Sequence, residues 1–342
     1  ALTLSDGRVA VVGGGLGSVP LAATEVFDPA SGTWSPSGGL QQPRRGHGLV
    51  RLHDDRLLVA GGIAGGELLR SAEVFDPSVG AWARAGDMTH PRLGHTMTVL
   101  PDGTVLVTGG TGETGTSSQG SQSVRPLAAA ELFNPATGTW TPVGDLLVPR
   151  FEHTATRLPD GRVLIAGGIG SEGGAVAAVA SAELYDPATR TFARTGQMTQ
   201  PRSDHAAVIL AGGRVLAVGG DGGESALSGG EIYDPARGAW SQTAPLRQPR
   251  RGHSATLLDD GSVLVAGGEF FSQGARTSLA SAERFDPSRE TWADAGAMSC
   301  PRSEHAAVVL PGGVVLVAAG DAAFPGQPPI AQSCVDLYTP GS

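Results

Sequence analysis

The sequence contains no lysine: all 24 basic residues of the 342-residue chain are arginine, against 33 acidic residues, and the formal net charge is -9. An acidic chain without basic runs is a poor partner for nucleic acid or anionic membranes. No apolar run approaches the ~18 residues needed to cross a bilayer, and the start at Ala1–Leu4 lacks the charged and apolar regions of a signal peptide. We therefore predict a soluble chain without a membrane span, whose export signal, if one exists, lies outside this sequence.

Glycine and proline are abundant, at 52 and 24 residues, whereas aromatic residues make up only 5% of the chain. This profile is typical of many short strands joined by tight turns. Apolar residues make up 40% of the sequence and are evenly spread, which excludes a disordered chain. The length alone favours two or more domains. A short sequence unit recurs from end to end, however, and this indicates a single repeat domain instead.

Three motifs recur in a fixed order. Glycine pairs follow apolar β-rich runs and begin at Gly13, Gly61, Gly109, Gly167, Gly219, Gly267 and, with alanine in first place, Ala319. An acid-apolar-aromatic strand comes next, as in Glu25-Val26-Phe27, and a second aromatic lies seven residues after the first, at Trp34, Trp82, Trp140, Phe192, Trp240 and Trp292. A Pro-Arg-x-x-His motif then opens the next unit at Pro43, Pro91, Pro149, Pro201, Pro249 and Pro301.

This order of Pro-Arg, glycine pair, aromatic and Trp resembles the kelch repeat, and the resemblance covers essentially the whole chain. A period of about 50 residues is that of kelch propellers, with four strands, A to D, in each unit. The sequence therefore predicts an all-β, seven-bladed kelch-type β-propeller, with four antiparallel strands per blade, as one domain over residues 1–342. The recurrent aromatics are expected to pack between blades.

Repeat length varies in one connection only. From glycine pair to C-strand aromatic the separation runs between 14 and 24 residues, which places every insertion in the B-to-C loop. Because strands alternate in direction, these loops and the D-to-A linkers share one face, and insertions on one face indicate the binding face. Residues that recur are accordingly expected to be structural, and departures from the repeat are the functional candidates.

The last blade is predicted to be incomplete in this chain. Residue 1 falls inside a strand A, and the sequence ends after a strand C with no seventh Trp. Propellers usually close by pairing strands from both termini, because an open edge invites aggregation. We expect upstream residues to supply the missing strand, and otherwise the last blade has three strands.

The only two cysteines, Cys300 and Cys334, fall near the same face of this last blade. A disulfide between them is one hypothesis, and it favours a secreted, periplasmic or cell-surface protein. Two free thiols in a cytoplasmic protein are the alternative.

Recurrent polar residues have structural and functional interpretations. The histidines His47, His95, His153, His205, His253 and His305 open strand A; structural hydrogen bonding is favoured over a transition-metal site, because ligands must lie at ~2.0–2.2 Å from one ion. The arginines of the Pro-Arg motif are expected to pair with the C-strand glutamates, since a buried Arg requires a partner, and their exposure to bind carboxylates is the alternative.

Departures from the repeat concentrate in blades 4 to 7. The residue before the His is Gly46, Gly94 or Gly252 in three units, but Glu152, Asp204 and Glu304 in the others. The residue after the glycine pair is acidic in the last three: Asp221, Glu269 and Asp321. Such carboxylates could hold a divalent cation, bind a cationic or polyhydroxy ligand, or act as an acid/base pair beside a His. A solvated acidic rim is the alternative.

Further ligand-binding candidates lie beside these carboxylates. The aromatics Phe151, Phe270, Phe271 and Phe324 stand outside the repeat positions and could form an apolar wall. Arg45 and Arg251 each follow a Pro-Arg pair and complete the predicted ligand-binding set.

The kelch resemblance implies a loop face that binds proteins or small molecules, with enzymes as a minority. One branch, similar to galactose oxidase, uses copper with two Tyr, two His and a Tyr-Cys crosslink. Here the only tyrosines, Tyr185, Tyr233 and Tyr338, fall at the structural C-strand position, which disfavours a copper-radical cofactor. Another branch resembles a sialic-acid mutarotase, but no motif specific to it is present.

The leading hypothesis is a binding module for a small molecule or protein at the B-to-C loop face, as a monomer and with no predicted cofactor. The alternative is a small-molecule enzyme of isomerase, cyclase or lyase type. Its catalytic candidates are Glu152, Asp204 or Glu304 beside His153, His205 or His305, with a divalent metal as an open possibility.

Overall fold

The computed structural model describes residues 1–112, 125–272, 275–324 and 327–340. Every regular element of these residues is a β-strand, and no helix among them could span a membrane. The chain divides into two compact units: unit 1 is Ala1–Ala177 with Glu183–Arg194, and unit 2 is Ala178–Ala182 with Thr195–Ser342. Most of the insertion of the third repeat, residues 113–124, lies outside the described residues.

The first four repeats supply the strands of unit 1. In chain order these are β1 (Leu2–Thr3), β2 (Val9–Val12), β3 (Gly15–Leu16), β4 (Val19–Pro20), β5 (Thr24–Asp28), β6 (Thr33–Ser37), β7 (Gly48–Arg51), β8 (Leu57–Ala60), β9 (Ile63–Ala64), β10 (Glu67–Leu68), β11 (Ser71–Asp76), β12 (Ala81–Asp87), β13 (Thr96–Val99), β14 (Val105–Thr108), β15 (Ala130–Asn134), β16 (Thr139–Pro142), β17 (Arg150–Phe151), β18 (Thr154–Arg157), β19 (Val163–Ala166), β20 (Ile169–Glu172), β21 (Ala175–Ala178), β22 (Ala182–Asp186) and β23 (Thr191–Arg194). They form four antiparallel four-stranded sheets in the orders β1-β2-β5-β6, β7-β8-β11-β12, β13-β14-β15-β16 and β18-β19-β22-β23.

The remaining repeats supply the strands of unit 2. These are β24 (Ala206–Ile209), β25 (Val215–Val218), β26 (Gly230–Asp234), β27 (Ala239–Gln242), β28 (Ser254–Leu257), β29 (Val263–Ala266), β30 (Glu269–Ser272), β31 (Ala275–Ser278), β32 (Ser281–Asp286), β33 (Thr291–Ala297), β34 (Ala306–Val309), β35 (Val315–Ala318), β36 (Asp321–Ala322), β37 (Ile330–Ala331) and β38 (Asp336–Tyr338). Two four-stranded sheets, β24-β25-β26-β27 and β28-β29-β32-β33, are followed by the three-stranded sheet β34-β35-β38.

Each full sheet is the predicted A-to-D meander, and local sequence explains its turns. At the A-to-B turn, Gly103 adopts a φ of 84°, which glycine tolerates without steric cost, while the Asp102 carboxylate accepts from the amide of Thr104 at 2.9 Å. At the C-to-D turn, the Asp28 carboxylate accepts from the amide of Ala30 at 2.9 Å. These side chains replace backbone partners and close the turns.

The B-to-C connections contain an element that the sequence pattern missed. Several of them fold into short hairpins outside the main sheets. The hairpins β3-β4, β9-β10, β30-β31 and β36-β37 are two-stranded, and β20-β21 is extended by β17 into a three-stranded sheet. The loops of the predicted binding face therefore carry strand structure of their own.

Consecutive sheets within each unit share one apolar core. In unit 1, Phe133 packs in a cluster with Leu52 and Leu58 of the preceding repeat; in unit 2, Phe285 packs with Leu216 and Ile232. The predicted packing of C-strand aromatics between sheets is confirmed at these positions. Within a sheet the same residues also face the D-strand aromatic, with ring centroids 4.8 Å apart for Phe285 and Trp292. Burial of each such ring contributes about 1.5–3 kcal/mol.

The arginines of the Pro-Arg motif are fully buried and tie the repeats together. Arg92 donates from Nη2 to the Glu131 carboxylate at 2.6 Å and from Nη1 to the Gly109 carbonyl at 2.8 Å, while its own carbonyl accepts from the amide of Gly62 in the preceding repeat at 2.9 Å. Equivalent carboxylate pairs are Arg44–Glu73, Arg150–Glu183, Arg202–Glu231, Arg250–Glu283 and Arg302–Asp336. The predicted Arg–Glu pairing is confirmed, and it excludes these six arginines from ligand binding.

Candidate functional site

The residue before each motif histidine has a left-handed backbone. Its φ is 62° at Gly46, 65° at Gly94, 53° at Glu152, 51° at Asp204, 58° at Gly252 and 55° at Glu304. Glycine is the unstrained choice in this region, and a side chain there costs on the order of 1 kcal/mol or more. Three carboxylate residues are therefore held where the repeat geometry favours glycine, which points to a role for the carboxylates themselves.

In unit 2 these positions form a ladder across three consecutive repeats. The amide of Gly252 donates to the Asp204 carbonyl at 3.2 Å, and the amide of Glu304 donates to the Gly252 carbonyl at 2.8 Å. A Cβ on Gly252 would lie 2.6 Å from Oε1 of Glu304 and 3.6 Å from Oδ2 of Asp204. The absent side chain of Gly252 thus leaves a space that both carboxylates border.

A dense ion-pair network lies beside this ladder. Arg251 donates from Nη1 to Asp221 at 2.7 Å and from Nη2 to Glu269 at 3.0 Å. Arg276, on the hairpin strand β31, donates from Nη2 to Glu269 at 2.6 Å, and Ser303 donates to the same carboxylate at 3.2 Å. Glu269 is only 4% exposed, so its contribution is to position the two arginines rather than to face solvent.

We call Asp204, Asp221, Glu269, Glu304 and Asp321 the acidic cluster. Two guanidinium groups accompany these five carboxylates, so the local charge is negative when all are ionised. Burial raises the pKa of Glu304, and the charges of Glu269 and Asp321 raise it further, against the opposing influence of Arg251 and Arg276. Although its environment is desolvating, Glu304 keeps accessible surface. It is the member of the cluster best suited to hold a proton.

The aromatics predicted to form an apolar wall differ in exposure. Phe271 is 47% exposed and Phe324 is 39% exposed, whereas Phe270, its neighbour on β30, is partly buried. The guanidinium carbon of Arg251 lies 4.9 Å from the centroid of the Phe271 ring, within the range of a cation-π contact. One exposed ring therefore joins the acidic cluster through Arg251.

The other predicted residues belong to unit 1. Glu152 is exposed, and its amide donates to the Gly94 carbonyl at 2.8 Å, so it extends the same kind of ladder there. Phe151 pairs with Ile169 between β17 and β20. Arg45 is exposed and forms a backbone bridge with Ile63.

The histidines have a packing role in this arrangement. Nε2 of His153 lies 3.0 Å from Oγ1 of both Thr96 and Thr108, and Nε2 of His305 lies 2.9 Å from Oγ of Ser254. A Cβ on Gly109 would meet the ring of His153 at 2.8 Å, so the glycine pair makes room for the histidine of the next repeat. Burial lowers the pKa of His305 to about 4 and that of His95 to about 3, and His205 is likewise buried.

A metal site requires His, Cys, Asp or Glu side chains that come together as ligands. Among the described residues, no three His, Cys, Asp or Glu side chains are placed to hold one ion; in the acidic cluster, arginines take the place of a cation. Tyr185 and Tyr233 are fully buried and pack against Phe192 and Trp240 in tilted pairs, with ring centroids 4.9 and 5.1 Å apart. Burial also raises the pKa of Tyr185 to about 12.

Arg276 and Ser303 are site residues that the sequence argument missed. Arg276 reaches the cluster because β31 pairs with β30, placing it opposite Phe271; the only sequence signal was the inserted length of this loop. A cavity of about 650 Å³ in unit 2 lies elsewhere, lined by Asp260 and Asp286 at the turn ends of the strands. Asp260 precedes β29 and Glu269 follows it, so cavity and cluster lie at opposite strand ends.

Comparison with known proteins identifies the family. The KLHDC2/KLHL20/DRC7 Kelch-repeats domain matches residues 94–320, and the Kelch motif matches residues 43–89. Among curated proteins no significant match is found.

Two solved structures show the same fold. A fungal alcohol oxidase of the AA5 family, in complex with copper, aligns with a TM-score of 0.75 at 19% identity over 97% of this chain and 73% of that one. The structure of YjhT aligns with a TM-score of 0.66 at 16% identity over 89% of this chain and 99% of that one. Identities this low show likeness of fold and carry no activity across. With the family match extending over well more than half of its residues, this chain belongs to the kelch-repeat family.

Proposed function

We propose that the chain is a ligand-binding kelch propeller, that its seven sheets are seven blades, and that the acidic cluster of unit 2 binds a cationic group of a small molecule or protein partner. The observation that carries the proposal is the pair of strained carboxylates, Asp204 and Glu304, on either side of the space left by Gly252. Strain of this kind is retained when the side chain serves a purpose other than folding.

The charge pattern favours a cation over an anion or a neutral ligand. Glu269 and Asp221 accept from Arg251, whereas Asp204 and Glu304 border the space left by Gly252, so these two carboxylates are the ones placed to contact an incoming cation. The Phe271 ring contacts Arg251 of the same network and is 47% exposed, so it offers an apolar or cation-π contact. An ammonium or guanidinium group therefore matches the site better than a sugar without charge.

The test compares single variants of the two carboxylates. We would measure calorimetric binding of spermidine, arginine methyl ester and neutral monosaccharides to the wild type, Asp204→Asn and Glu304→Gln. Loss of one charge-assisted hydrogen bond weakens binding by about 1.5–3 kcal/mol, or about 10- to 150-fold in Kd. The matched control is Asp259→Asn, which removes the same charge at an exposed position of the same unit.

The outcome that supports the proposal is binding of a cationic probe that weakens in both site variants and not in Asp259→Asn. The proposal is wrong if the cations bind all four proteins equally, or if the wild type binds only the neutral sugars.

A second function is supported by the raised pKa of Glu304. Glu304, with its raised pKa, and Asp204 across the Gly252 space form an acid/base pair of the kind that an isomerase, cyclase or lyase requires. Such an enzyme would show a bell-shaped pH profile that loses one limb in Glu304→Gln, with KM less affected than kcat. Binding without turnover across a panel of cationic substrates favours the binding module.

A further inference from the structure

Cys300 and Cys334 are joined by a disulfide, with Cα atoms 6.5 Å apart. The two cysteines occupy repeat positions that hold a glutamine and a serine in two other repeats. Ser71 donates to the side-chain oxygen of Gln42 at 2.6 Å, and Ser281 donates to that of Gln248 at 2.6 Å. In both repeats this hydrogen bond joins the D-to-A linker to strand C. The disulfide joins the same two positions of the last repeat by a covalent bond.

The disulfide lies beside β38, in the three-stranded sheet β34-β35-β38. Among the described residues of this last sheet, β38 pairs with β35, whereas the C strands of the six other sheets pair on both sides. Asp336 also replaces the glutamate of the buried ion pair, and it is 18% exposed while the equivalent glutamates are at most 4% exposed. On reduction, the pairing of β38 with β35 and the more exposed Arg302–Asp336 ion pair remain among the described residues.

The surroundings of the disulfide also favour its reduction. Both cysteines are partly accessible, and Nη2 of the buried Arg302 lies 2.9 Å from Sγ of Cys334. A neighbouring guanidinium stabilises a thiolate, and a stabilised thiolate leaves faster in thiol-disulfide exchange. An incoming thiolate is thus expected to attack Cys300 and to release Cys334.

We propose that Cys300–Cys334 is a redox latch that holds β38 in place when oxidised and releases it when reduced. A dithiol reductant donates two electrons: its first thiolate bonds to Sγ of Cys300 and expels Cys334 as a thiolate, which takes up a proton. The second thiol then displaces Cys300, and the reductant leaves as a cyclic disulfide. The products are two free thiols and a released edge strand.

The latch also bears on the candidate site. Cys300 opens the linker that carries Arg302, Ser303 and Glu304, so its release loosens one side of the acidic cluster. This second consequence rests on the proposed function, whereas the release of β38 does not, and the experiment therefore uses a readout without ligand.

The experiment is amide hydrogen exchange of the 342-residue chain before and after dithiothreitol, followed by peptide. Opening the 34-residue separation between the cysteines is expected to speed exchange of 334–340 on the order of 100-fold, with the sheets of unit 1 unchanged. Cys300→Gln/Cys334→Ser restores the pair found at Gln42 and Ser71 and should not respond to dithiothreitol. Brief treatment with glutathione should give a mixed disulfide at Cys300.

Three outcomes would overturn the latch. They are a change in exchange of 334–340 below about threefold, equal acceleration in all sheets, or a glutathione adduct at Cys334 instead of Cys300.

Discussion

The buried ion pairs offer a prediction with an internal control. Glu231 accepts from Arg202 at 2.9 Å and from the amides of Thr199 and Gln200 at 2.7 and 3.2 Å. Glu231→Ala leaves a fully buried guanidinium without its counter-charge, which costs about 3–5 kcal/mol, and two amides without an acceptor, at about 1 kcal/mol each. The expected loss is about 5 kcal/mol or more.

Glu25 occupies the same repeat position but is exposed, and no ion pair joins it to any part of the chain that the structure describes. Glu25→Ala should therefore change stability by less than about 0.5 kcal/mol. The two variants differ in environment and not in chemistry, so they isolate the cost of the buried pair.

The assay is thermal unfolding of both variants beside the wild type. With an unfolding entropy of about 2.1 cal/mol/K per residue, 5 kcal/mol lowers the Tm of a 342-residue chain by about 7 °C, and by more if unit 2 melts on its own. Glu25→Ala should stay within about 1 °C of the wild type. Equal shifts in the two variants would refute the reasoning, because the buried pair would then contribute no more than an exposed carboxylate.

Two further predictions concern the site and the effect of pH. Gly252→Ala places a methyl group 2.6 Å from Oε1 of Glu304 in a left-handed backbone. We expect the variant to be about 1 kcal/mol less stable and to bind any cationic probe at least tenfold more weakly by calorimetry. Unchanged binding would contradict the assignment of this space. The pKa of the buried His95 lies at about 3, below its unfolded value of about 6.5, so the unfolded chain takes up the proton first and stability falls as pH drops below 6.5. Between pH 6.5 and 5 this histidine should lower the free energy of unfolding by about 2 kcal/mol. Thermal unfolding at several pH values checks this, and a Tm of His95→Gln that falls as steeply with pH as that of the wild type would disprove the assignment.

Much of the fold follows from the sequence because its determinants are local and repeated. Turn residues such as Asp102 and Gly103, and the period of glycine pairs and aromatics, predict strands and their order. The pairing of Arg92 with Glu131 was also predictable, since a recurrent buried charge requires a recurrent partner. Blade number remains a prediction from the count of repeats.

The site was predictable only in outline. The sequence indicated Asp204 and Glu304 by their departure from glycine, but it offered no reason to expect that Gly252, a repeat-typical residue, would define the space between them. Arg276 escaped because its position depends on hairpin pairing inside an insertion, which has no periodic pattern to read. The burial of Glu269 depends on its neighbours in space, which a single sequence does not reveal.

A histidine fits over the glycine of the preceding repeat at His47, His95, His153, His253 and His305, and this fit has a consequence for how such chains change in length. The ring of His95 fills the room that Gly61 leaves, and the carbonyl of Arg92 accepts from Gly62, so one sequence repeat holds only half of each contact. Gain or loss of a whole repeat preserves these contacts, because each repeat offers the same glycine to the histidine of the repeat that follows it. A deletion that is not a whole number of repeats would leave a histidine ring without the space that a glycine provides. We expect selection to remove such a deletion.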